Sequence, residues 1–103
     1  MADSIRMKTI TGPDSVEVRA LINHPMDVGK WDKTTEKFVG PHYIEKVVIE
    51  LNGKTIVQGD WSTGVAKNPY LGFRVRGART GDKLKLSWKD NQGGSDFLET
   101  VVT

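Results

Sequence analysis

The chain contains no cysteine. No disulfide framework, thiolate metal site or cysteine nucleophile can be built from it. Long apolar runs are missing as well. Nothing approaches the roughly 20 consecutive apolar residues of a membrane-spanning helix. The first ten residues, MADSIRMKTI, lack the apolar centre of a secretory signal. The chain is therefore expected to be soluble, to make no membrane contact and to carry no export signal of its own. Charge of one sign is also scarce. Fifteen basic and 13 acidic residues leave a formal net charge of +2, and the basic residues form no run. Nucleic acid is accordingly not expected as a partner. Helical periodicity is absent throughout. So are the Gly-x-Ser-x-Gly elbow, the His-Glu-x-x-His pair and a glycine-rich phosphate loop between strand and helix. The chain is expected not to be an enzyme and to need no cofactor, with no catalytic residues to assign.

What is present is period-two alternation. His42 to Trp61 carries the strongest signal, because Asn52-Gly53 sits between two β-prone runs. Asn-Gly accepts the positive φ of a type I′ turn, whose twist matches paired strands. On the first arm Tyr43, Val47, Ile49 and Leu51 share one face, with Glu45 among them where the strand leaves the core. Ile44, Lys46, Val48 and Glu50 share the other. The return arm, through Ile56 and Gln58, alternates more weakly, so the first arm is expected to be central and the second peripheral. Upstream, Ser4 to Ile10 reads as an edge strand. Ser15 to Ile22 reads as a half-buried strand with Val16, Val18, Ala20 and Ile22 inward. Downstream, Leu71, Phe73 and Val75 share a face within Tyr70 to Arg76. Leu84, Leu86 and Trp88 point inward from Lys83 to Lys89. Ser95 to Val102 is a last strand whose buried face the pattern leaves open.

Between the second strand and the central one lie the nineteen residues Asn23 to Pro41. Loops this long are usually functional or mobile. Lys30-Trp31-Asp32 and Lys37-Phe38-Val39 flank Thr34-Thr35, which suits a small projecting hairpin. Asn68-Pro69 calls for extended geometry at Asn68. The 103 residues are expected to form one domain, spanning 1–103, of about seven short strands. The fold class is all-β, an immunoglobulin-like antiparallel β-sandwich without the paired cysteines of antibody domains.

Candidate chemistry is sparse. His24 and His42, the two histidines, stand eighteen positions apart. With Met26 and Met7 they offer imidazole and thioether, which suit copper. No His-x-His or Met-rich cluster supports that, so no metal site is assigned. Trp31 and Trp61 lie in or beside loops, where tryptophan marks an interface or a loop anchor. Trp88 reads as core. From the residues alone, the alternatives are a ligand-binding module for carbohydrate or for copper. Lys83, Lys85, Lys89, Arg74 and Arg76 point outward. Their ordinary reading is a solvated face, and the other is an electropositive surface for an acidic partner or small anions.

Several segments, in order, resemble the SoxZ family. They are Leu21-Ile22-Asn23-His24-Pro25-Met26, Pro41-His42-Tyr43-Ile44, Asn52-Gly53-Lys54, the run from Ala66 through Asn68-Pro69-Tyr70 to Arg76, and Leu86-Ser87-Trp88-Lys89-Asp90-Asn91. The resemblance runs from about Val16 to Thr103. It departs at Val65-Ala66-Lys67, where small residues are more usual. It implies a non-catalytic subunit of the SoxYZ sulfur carrier that pairs with SoxY, as a heterodimer or a higher assembly. SoxY carries sulfur intermediates on a cysteine in a glycine-rich arm. The resemblance implies that SoxZ helps present this arm to the enzymes of thiosulfate oxidation, which meet it transiently. It also implies a periplasmic location, reached by export with the partner. His24, Pro25 and Met26, together with Asn68, Pro69 and Tyr70, are expected to contribute an interface with SoxY. The other reading is that Asn-Pro-Tyr merely shapes a strand entry.

Overall fold

Asn52 and Gly53 both take positive φ, +51° and +82°. They close a two-residue turn between β5 (Ile44–Leu51) and β6 (Lys54–Asp60), in which Leu51 pairs with Lys54. The computed structural model of the chain describes residues 4–62, 65 and 67–102. Ala66 and Thr103 of the family-like segments lie outside the described residues, as do Met1, Ala2, Asp3, Thr63 and Gly64. The remaining strands are β1 (Ile5–Thr11), β2 (Ser15–Ile22), β3 (Lys30–Asp32), β4 (Lys37–Val39), β7 (Tyr70–Arg76), β8 (Lys83–Asp90) and β9 (Ser95–Val101).

Of the nine strands among the described residues, seven form two antiparallel sheets, ordered β1-β2-β7 and β6-β5-β8-β9. This three-plus-four arrangement is an immunoglobulin-like β-sandwich. The other two strands, β3 and β4, form a separate ribbon that, among the described residues, packs on no other strand. Each sheet offers one apolar face to the core. Val16, Val18, Ala20 and Ile22 of β2 are buried and meet Val47, Ile49, Leu84 and Leu86 from the opposite sheet. The register follows the alternation: Val47 pairs with Trp88, Ile49 with Leu86 and Leu51 with Leu84. β5 is interior and β6 is an exposed edge. In β9 Leu98 turns inward, as does Val102 just beyond the strand, while Phe97 and Val101 stay about half exposed.

Two expectations are corrected. Strict alternation put Ile44 on the outer face and Glu45 on the core face. In fact Ile44 is fully buried and Glu45 is exposed. Ile44 pairs with Asp90 and Lys46 with Lys89, so Glu45 is an extra residue in the β5 ladder. Such a bulge flips the faces upstream of it, which carries Glu45 to solvent and Ile44 to the core. Asn68, expected to be extended, has a φ of +51°. Its backbone N–H donates to the His24 carbonyl at 2.9 Å, and its Oδ1 accepts the His24 N–H at 3.0 Å. Asparagine tolerates the left-handed region, and this pair of bonds holds it there.

Candidate functional site

The inward positions of β8 run Leu84, Leu86, Trp88 and then Asp90. Alternation thus delivers a carboxylate to the core face at one end of the sandwich, where Asp90 is only 4% exposed. A buried carboxylate must be paired and hydrogen-bonded, and Asp90 is. Its Oδ2 accepts from His24 Nε2 at 3.1 Å and from His42 Nε2 at 2.8 Å. Its Oδ1 accepts the backbone N–H groups of Gln92 at 3.0 Å and Gly94 at 2.7 Å. Burial opposes ionisation, but the bonds from His24, His42, Gly94 and Gln92 outweigh it and lower the carboxyl to about 2. A Cβ at position 94 would lie 2.6 Å from Oδ2, so only glycine lets the β8–β9 turn wrap this carboxylate.

The histidines are brought by separate loops. His24 lies two residues beyond the end of β2, is buried, and stands edge-on to His42 at 4.7 Å and to the Trp88 ring at 5.1 Å. His42 precedes β5 and is partly exposed. Its backbone exchanges hydrogen bonds with Asp27 at 2.7 and 3.0 Å. That bridge closes the excursion carrying β3 and β4. Asn91 pins the same end: its Oδ1 accepts the Tyr43 N–H at 2.9 Å, and its Nδ2 donates to the Pro41 carbonyl at 2.8 Å. Next to this cluster, Trp88 Nε1 donates to Ser4 Oγ at 3.0 Å, and Ser4 Oγ donates to Asp96 Oδ2 at 2.6 Å. These bonds join the start of β1 to β8 and β9 across the sandwich.

His24, His42 and Asp90 offer three potential metal-ligand atoms within 4.8 Å of one another. The histidines that sequence spacing held apart are thus neighbours, and Met26 is beside them. The hydrogen bonds favour a latch over a metal centre. The Met26 N–H donates to His24 Nδ1 at 3.1 Å, so the ring's proton sits on Nε2 and points at Asp90. A metal on Nε2 needs that proton gone and ordinarily finds Nδ1 donating, not accepting. The Met26 sulfur is itself occupied, accepting the Ile44 N–H at 3.3 Å.

The two segments expected to form an interface are adjacent. Besides the Asn68–His24 bonds, the Ile22 N–H donates to the Pro69 carbonyl at 3.0 Å. Their exposures differ. His24, Met26 and Pro69 are buried and Pro25 is half-buried, while Asn68 and Tyr70 face solvent, Tyr70 at 61%. Of the candidate tryptophans, Trp61 packs against the core and Trp31 is exposed on β3 opposite Phe38. Asp90 was visible in the sequence as part of a family-like segment and not as a site residue. The signal was its place on the inward face, two residues beyond Trp88, where a carboxylate has to find partners.

The chain is thus a two-sheet antiparallel sandwich, locked at one end by a His–Asp–His cluster and presenting Tyr70 from the edge strand beside it. The family model described as "Sulphur oxidation protein SoxZ" matches residues 5–100. The chain belongs to the SoxZ family and is a sulfur-oxidation protein. No curated protein sequence matches the chain.

Proposed function

We propose that this chain is the non-catalytic subunit of a SoxYZ sulfur carrier, and that it binds SoxY and helps present the cysteine-bearing arm to the enzymes of thiosulfate oxidation. On this reading it works in the periplasm, exported with its partner. The observation that carries it is the contrast within the His24–Met26 and Asn68–Tyr70 segments. His24, Met26 and Pro69 are buried and fixed by backbone hydrogen bonds, while the Tyr70 ring is 61% exposed. An aromatic held out from a rigid support loses little entropy on docking, and tyrosine is a frequent interface anchor. The latch supports a binding role over a catalytic one. Both histidine Nε2 atoms are spent on Asp90, at the foot of the projecting ribbon.

The test is capture of purified SoxY by the folded chain. Tyr70→Ala is expected to weaken the complex about 30-fold, roughly 2 kcal/mol, and to leave the melting of the lone chain unchanged. A wild-type chain that does not capture SoxY overturns the carrier role. A Tyr70→Ala chain that melts early yet, once folded, binds SoxY normally makes Tyr70 a packing residue only.

A further inference from the structure

The outward faces of the two sheets treat their basic residues differently. On the four-stranded sheet, Lys85 Nζ approaches Glu50 at 4.0 Å, lies over the Phe97 ring and pairs in register with Glu99. Its positive charge is answered locally, and Lys46, although opposite Lys89, has Asp60 as its partner on the other side. On the three-stranded sheet the outward positions include Arg6 and Lys8 of β1, Arg19 of β2 and Arg74 and Arg76 of β7, all exposed, against one carboxylate, Glu17. Glu17 forms an ion pair with Arg19, 3.2 Å away, and lies in register with Arg74 across the β2–β7 pairing. Lys8 and Arg19 are directly opposite. Like charges opposed across strands are destabilising, and nothing in the sandwich core requires them. Arg74 and Arg76 thus share no face with the β8 lysines that the sequence grouped with them.

The same face has the relief of a docking surface. The row beside the cations is Arg6, Leu21 and Tyr70, with Leu21 39% and Tyr70 61% exposed. Gly72 occupies the position beside Arg19 and opens a shallow depression of about 550 Å³ flanked by Arg19, Tyr70 and Arg74. Three strands at about 4.8 Å spacing and three side-chain rows at about 7 Å make a patch roughly 10 by 14 Å. That fits one short acidic segment with an apolar residue for the Leu21–Tyr70 end. It is small for duplex backbone.

We infer that the outward face of β1, β2 and β7, with Arg6, Lys8, Arg19 and Arg74 around the Gly72 depression, docks an acidic segment of the partner subunit. This rests on the reading of the chain as a partner-binding subunit and adds to it the chemistry of the surface it meets.

The experiment is association kinetics of the full chain with SoxY over a range of salt, beside a double reversal on this face and a control reversal on the other. Complementary charge accelerates encounter and makes it salt-sensitive. The on-rate of the wild type is expected to fall about 10-fold from low to about 0.3 M salt. Arg19→Glu with Arg74→Glu is expected to lower it about 10-fold at low salt, with Lys85→Glu and Lys89→Glu changing it less than about 3-fold. If the double reversal does not fold, Arg19→Ala with Arg74→Ala replaces it, with an expected loss of about 3-fold or more. SoxY capture that is indifferent to salt and to the Arg19 and Arg74 changes overturns the acidic docking surface and leaves the carrier role standing. Equal effects from both pairs of reversals would report net charge alone and also overturn it. So would tighter, reversal-sensitive binding to a 20-base-pair duplex or to phosphatidylserine vesicles. A wild type that captures no SoxY overturns both readings.

Discussion

Replacing Asp90 with asparagine keeps the side chain's volume and removes its charge. Two N–H donors converge on Oδ2, from His24 and His42, and two on Oδ1, from Gln92 and Gly94. Asparagine has one acceptor oxygen, so its amide nitrogen faces a pair of donors whichever way it turns. Lowering the carboxyl from 3.8 to about 2 corresponds to about 2.5 kcal/mol of stability at neutral pH, at about 1.4 kcal/mol per pH unit. Leaving buried donors unpaired costs about 1–3 kcal/mol more. Asp90→Asn is therefore expected to destabilise the chain by about 3.5–5.5 kcal/mol at pH 7, read as a shift in the urea midpoint followed by tryptophan fluorescence. The pH dependence has a fixed sign. The folded carboxyl titrates below the unfolded one, so its contribution is complete above about pH 5 and is lost as pH falls toward 2. The gap between wild type and variant should shrink over that interval. A loss below about 1 kcal/mol at pH 7, or a gap that stays constant down to pH 2, would refute the account of the latch.

Further expectations follow from the same geometry. Gly94→Ala places a Cβ 2.6 Å from the Asp90 carboxylate and is expected to cost about 2 kcal/mol in a denaturant melt; a neutral result would show that the turn yields. Ile44→Ala should cost about 2–5 kcal/mol and Glu45→Ala less than about 0.5; equal costs would remove the bulge at Glu45. Trp88→Phe loses the indole bond to Ser4 Oγ and should cost about 1–2 kcal/mol. Amide exchange in Met7 and Ala20, well along the β1–β2 pairing, should follow that loss; exchange unchanged from wild type would separate the bond from strand pairing.

The sandwich itself was legible in the sequence because its determinants are local. Asn52-Gly53 needs only its own backbone freedom to turn the chain. Val16, Val18, Ala20 and Ile22 need only a spacing of two to share a face. The same holds for Leu84 and Leu86, and for the Thr34-Thr35 turn of the projecting ribbon. The SoxZ-like segments were likewise readable as strings of residues. What depended on the tertiary structure was everything set by contacts distant along the chain. The bulge at Glu45 is invisible to alternation because it exists only in the pairing of β5 with β8. The φ of Asn68 departs from the local preference before proline because His24, 44 positions away, supplies its hydrogen-bond partners. His24 and His42 looked unrelated until two loops and the end of β8 brought them to one carboxylate. Arg74 and Arg76 looked like neighbours of the β8 lysines, but their strand pairs with β2 and lies in the other sheet. Period-two patterning says which side chains share a face of a strand. Which strands share a sheet, and which loops meet at its ends, is decided by the packing of two sheets around one core.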